Sequence, residues 1–112
     1  MAGIEASKEL ADKVYEAIEV ARATGKIRKG ANEATKAVAK GQAKLVAIAK
    51  DTTPAEVTMH IPMLAEEKGI ICVIVPSKEE LGTAAGINRP TAAVAIVAEG
   101  EAKNIIKEIA SQ

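Results

Sequence analysis

Three short, largely apolar runs, "KLVAIA" (44–49), "IICVIV" (70–75) and "AAVAIVA" (92–98), constrain this chain more than any other feature. Each has the length of a strand that is buried on both faces, so helices must cover it above and below. Segments with helical spacing surround them. Ser7 to Ala23 carries apolar residues at Leu10, Ala11, Val14, Ala17, Ile18 and Ala21, and Gly25 stops it. A second helix is expected from about Ala31 to Lys40, with Ala31 or Asn32 near its N-cap and Gly41 closing it. "TTPAEVTMHIPMLAEEKG" reads as a helix capped by Thr53, with Pro54 in its first turn and Gly69 at its end; Pro62 should break or restart it midway. Ser77 caps a short helix in "SKEELGTAAG", and "EGEAKNIIKEIASQ" reads as a C-terminal helix. The alternation predicts one domain over residues 1–112, an α/β/α sandwich in three layers around a central mixed sheet of about four strands.

The core must be aliphatic. The chain has one Tyr and no Phe or Trp, so Ala, Val, Ile and Leu have to fill it. No apolar run approaches the ~20 residues of a membrane span, and "MAGIEASKELADKV" lacks the apolar stretch of a signal peptide. A single Cys72 excludes an internal disulfide and fits a reducing compartment. Cytoplasmic residence is the expectation, with no membrane as partner.

Charge is unevenly spread. From Arg22 to Lys50 there are eight cations and one acid, Glu33, a net charge of +7; the chain totals zero, so the remainder carries −7. Such a separation points to a face prepared for an anion, against the plainer alternative of a solvated basic helix without a partner.

Catalysis finds little support. His60 sits among Met59, Ile61 and Met63, which favours a satisfied core or helix-end histidine over a base. Cys72 lies inside an apolar strand, with no second Cys or His to complete a zinc site. No Ser follows a nucleophile-elbow pattern, and Glu66/Glu67 and Glu79/Glu80 lie next to lysines as solvated pairs. "GKIRKG" lacks the Walker spacing and follows a helix instead of a strand. No cofactor and no metal are expected.

RNA fits better, and the lone acid is the reason. Cations alone give affinity for any phosphate backbone without discrimination. A carboxylate on that surface repels phosphate unless it accepts hydrogen bonds from a base, and guanine can donate from its N1–H and N2–H₂. Asn32 can both donate and accept, and Lys36 stands on the same helical face as Asn32 and Glu33. The three form a polar triad suited to guanine, with backbone donors added by the helix start. Tyr15 alone cannot supply the aromatic platforms that stack single strands, so a folded RNA with an exposed base edge is the expected partner.

"KIRKGANEATKAVAKGQAKLVAIAKD" closely resembles the kink-turn-binding ribosomal proteins of archaea, the L-seven-Ae family, including a G-x-N-E-x-T-K core at Gly30, Asn32, Glu33, Thr35 and Lys36. "HIPMLAEEKGI", "VPSKEELGTAAGI" and "RP" extend the similarity over nearly the whole chain from about Leu10. The resemblance implies the same sandwich and recognition of the kink-turn, a sharp RNA bend flanked by tandem sheared G·A pairs. Asn32, Glu33 and Lys36 would then contact the guanines, and Lys26, Arg28, Lys29 and Gly30 would hold the backbone. In "GINRP", Ile87 would pack on an extruded or loop nucleotide, and Arg89 would reach phosphate or base. Thr35, Lys40, Asp51 and Asn88 complete the implied RNA-binding set.

Three departures from the family pattern stand out. Lys50-Asp51 replaces an acidic pair, Asn88 occupies a position where members vary, and "MAGIEASKEL" replaces a strand-like N-terminal extension. The implied partners are ribosomal RNA, box C/D and box H/ACA guide RNAs and ribonuclease P RNA, with other proteins of those particles. The implied role is non-catalytic, performed by a protein that is monomeric when free. Two alternatives remain: a small α/β enzyme or ligand-binding domain with a pocket at its strand ends, and a ribosomal module of the same fold without kink-turn specificity. Ile61, Met63 and Leu64, near Glu66 and Glu67, offer either a partner surface or ordinary core packing.

Overall fold

The computed structural model describes residues 3–51 and 59–111. The three apolar runs form the middle of the sheet, as β3 (Leu45–Ala49), β4 (Ile71–Val75) and β5 (Ala93–Ala98). Two further strands complete it: β1 (Ile4–Glu5) and β2 (Lys26–Lys29). The sheet order is β1-β4-β3-β5-β2, with β1, β4 and β3 parallel and β5 antiparallel to both β3 and β2. The sheet is mixed, as expected, but has five strands where about four were anticipated.

Both additional strands are edges, which explains why an apolar pattern missed them. β2 reads Lys-Ile-Arg-Lys and is exposed at both ends, with only Ile27 packing on the core. Charged side chains on an edge strand discourage pairing with another chain. β1 is only two residues long, and its register sets Ile4 against Val73 and Glu5 against Ile74. "MAGIEASKEL" thus does contribute a strand. Lys50 Nζ reaches Glu5 Oε1 at 2.6 Å, so the unusual cation after β3 is spent on this edge.

Alternate side chains of each central strand enter two separate cores. Leu45, Ala47, Val73, Val75, Val94 and Ile96 pack against α1 (Lys8–Thr24), α4 (Lys78–Ala84) and α5 (Lys103–Ala110). Val46, Ile48, Cys72, Ala93 and Ala95 pack against α2 (Ala31–Ala39) and α3 (Ile61–Lys68). This is the three-layer sandwich. Tyr15 is 8% exposed within the first core, and its hydroxyl donates to Ser77 O at 3.4 Å. It is no stacking platform.

Helix ends follow local chemistry. Ser7 caps α1 by accepting from Leu10 N–H at 3.2 Å, and Ser77 caps α4 by accepting from Glu80 N–H at 3.1 Å. Gly69 ends α3 in the left-handed region. Pro62 stands in the first turn of α3, where a missing N–H costs nothing. The expected cap at Thr53 and first turn at Pro54 fall outside the described residues. A 3-10 turn (Gly100–Ala102) leads into α5, so that helix starts later than its apolar pattern alone indicates.

Burial pushes the Cys72 thiol from 9.0 up to about 12. Native protein should therefore resist iodoacetamide near neutral pH, whereas denaturant-unfolded protein should react at the rate of a free thiol. The raised value belongs to the folded state, so this stabilising contribution is present below pH 9.0 and lost as pH climbs towards about 12. Denaturation midpoints measured across that interval should fall more for the native sequence than for Cys72→Ala.

Candidate nucleic-acid interface

The pairing of β2 with β5 assembles the candidate face. Lys29 stands opposite Val94, and Gly30 N–H continues the ladder by donating to Ala93 O at 2.8 Å. Because the strands are antiparallel, the residues that follow β2 lie beside those that precede β5. The basic entry to α2 thereby meets the "GINRP" loop, more than fifty positions away in sequence.

Gly30 makes the turn from sheet to helix in a single residue. Its φ of 97° and ψ of 153° lie where side-chain-bearing residues are strained. Its carbonyl accepts the first helical bond, from Ala34 N–H at 2.9 Å. Gly30 is therefore the N-cap itself, in place of Ala31 or Asn32, and no side chain caps α2. Ala34, Ala37 and Val38 face the core, while Asn32, Glu33, Lys36 and Lys40 are exposed.

Three depressions follow from this arrangement. Arg28, Glu33, Lys36, Lys40 and Gln42 line one of about 200 Å³. A second, of about 490 Å³, joins Lys29 and Gly30 to Ile87, Arg89 and Pro90. The third, about 500 Å³, runs along the other side of that loop, past Ile87, Asn88 and Arg89 to Glu79 and Thr83 on α4. Glu33 Oε2 lies 3.5 Å from Lys36 Nζ, with side chains 53% and 68% exposed respectively. A surface pair of this kind is worth only ~0.3–0.5 kcal/mol, so either partner is readily diverted to a ligand.

The loop itself is held by backbone. Ile87 N–H donates to Gly82 O at 3.0 Å, Gly86 N–H to Thr83 O at 3.0 Å, and Thr91 N–H to Lys78 O at 3.1 Å. Thr91 is buried and also donates its hydroxyl to Ala93 O at 3.2 Å. These bonds leave Asn88 and Arg89 exposed and Ile87 half-buried.

Not every expected residue joins this face in the same way. Lys26 lies at the far end of β2, opposite Ala98 and away from the three depressions. The Asp51 carboxylate accepts from Lys78 N–H at 2.9 Å, fixing the start of α4. Thr35 donates its hydroxyl to Ala31 O at 2.7 Å and lies 2.9 Å from His60 Nε2. His60 is at the start of α3, exposed and hydrogen-bonded to a neighbouring helix instead of buried. Sequence reasoning missed Gln42, Glu79, Thr83 and Pro90 as lining residues. Nothing in their types marked them, because only the fold brings them to the depressions.

Among the described residues, no group of three His, Cys, Asp or Glu side chains could hold a metal ion, and no helix is long and apolar enough to cross a membrane.

Residues 12–106 match the model of the ribosomal protein L7Ae/L30e/S12e/Gadd45 family. Among solved structures, the chain is similar to the 15.5kD RNA binding protein of Giardia lamblia. The two share 35% identity and a TM-score of 0.89, over 95% of this chain and 88% of that one.

Gly82 is the narrowest point behind the face. A Cβ there would fall inside the contact distance of the Arg89 carbonyl oxygen, which is backbone and cannot swing aside. Gly82→Ala should displace the loop and cost about 1–3 kcal/mol, measurable as a lowered thermal midpoint.

Proposed function

The chain belongs to the ribosomal protein L7Ae/L30e/S12e/Gadd45 family, and from that premise we propose that it binds structured RNA at kink-turns, without catalysis. The observation that carries the proposal is the junction of Lys29 and Gly30 with Ile87, Arg89 and Pro90. It makes the start of α2 and the loop before β5 one continuous face. The Giardia protein's described RNA binding supports the same reading.

In this proposal Glu33 accepts from the N1–H and N2–H₂ of a guanine in a sheared G·A pair, while Asn32 and Lys36 contact the adjoining guanine. Arg28, Lys29 and Lys40 hold phosphates, and Lys26 adds a more distant one. Ile87 packs on a nucleotide turned out of the stack, with Asn88 and Arg89 at its edge. Thr35 and Asp51 support the face from within the protein. Because the protein prefers the bent form, binding shifts the RNA population towards it. Ribosomal RNA, box C/D and box H/ACA guide RNAs and ribonuclease P RNA are the proposed carriers of such bends, in particles shared with other proteins.

The test is a titration against a kink-turn RNA and a control whose sheared pairs are replaced by Watson–Crick pairs, at physiological salt. Glu33→Ala should lose about 1–3 kcal/mol on the kink-turn and little on the control. Lys40→Ala should weaken both RNAs alike and lower the salt dependence by about one counterion. Equal affinity of the native protein for both RNAs would reduce the face to a general basic patch.

A further inference from the structure

We infer that His60 is a positioning residue for the first turn of α2, acting through Thr35; the inference rests on the RNA-binding function proposed above. The argument begins with one proton. Thr35 Oγ1 lies 2.7 Å from Ala31 O and 2.9 Å from His60 Nε2. A carbonyl oxygen only accepts, so the single hydroxyl proton goes to Ala31. The ring nitrogen must then supply the proton of the second bond. His60 is fixed as the Nε2–H donor, and Thr35 Oγ1 is its acceptor.

This bond has an unusual burden. The N-cap of α2 is Gly30, which offers no side chain to hold the first turn. The helix rests on the sheet through Ala34, Ala37 and Val38, small aliphatic groups buried below its exposed first turn. Asn32 and Glu33 project from that turn, and a small rotation would swing both. Among the described residues, Thr35–His60 is the side-chain hydrogen bond that ties α2 to another element. It anchors the turn to the start of α3. Thr35 has no hydroxyl proton left for an RNA oxygen, so its part is to transmit this anchor.

The experiment measures the affinity of the folded protein for the kink-turn RNA and for the Watson–Crick control, with thermal midpoints recorded alongside. His60→Ala should weaken kink-turn binding roughly three- to tenfold, the worth of one hydrogen bond, and leave the control unchanged. His60→Gln, whose amide can donate from a similar position, should recover most of the loss. His60→Ala placed in a Thr35→Val background should add little further. A lowered midpoint with unchanged affinity would make the bond purely structural and overturn the inference. Failure of His60→Gln to recover binding would overturn it too. Glu33→Ala separates the two levels of argument. If it weakens binding while His60→Ala does not, only the positioning role falls; if neither does, the proposed function falls and takes this inference with it.

Discussion

The antiparallel ladder between β2 and β5 is the contact on which the rest of this surface depends. It pairs a four-residue charged edge with a strand whose first four residues are fully buried. A slip of one residue would turn Ile27 out of the core and Arg28 into it, so the core itself enforces the register. With that register set, the glycine turn into α2 and the loop before β5 have no freedom to separate. Two segments far apart in sequence become neighbours through this backbone ladder and the burial of Ile27 that sets its register.

A core without large aromatic groups has a related effect. Ala34, Ala37, Ala65, Ala93 and Ala95 fill much of the layer between the sheet and α2/α3. Side chains this small let the helix backbone approach the sheet closely, which keeps the start of α2 low against the end of β2. Val38, Val46, Ile48 and Ile61 help fill the rest of that layer. Polar contacts at the helix start, chief among them the Thr35 hydroxyl, add to what this packing provides.

The central sheet was legible because β3, β4 and β5 carry their own apolar runs, and the helices because their spacing and their Ser and Gly ends are local signals. β1 and β2 were not, because a two-residue strand and a Lys-Ile-Arg-Lys strand are specified by their partners and not by their own pattern. The same division holds for the candidate site. Asn32, Glu33 and Lys36 declare themselves by helical spacing and by an acid set among cations. Thr35 belongs to the family core and Asp51 to a departure from it, yet the hydrogen bonds of both, to His60 and Lys78, emerge only from three-dimensional neighbours. Lys50 likewise counts with the basic segment in sequence, whereas in the fold it stands beside Glu5.

The loose Glu33–Lys36 pair also sets a toll on the wrong ligand. A polyanion that presents only phosphate oxygens can draw Lys36 aside, but it then confronts an uncompensated carboxylate and gains less than the lysine alone would provide. A ligand that brings its own donors to Glu33 escapes that penalty. In the proposed function the pair would select by what it withholds, and selectivity of this kind would survive even where the surrounding cations hold any nucleic acid.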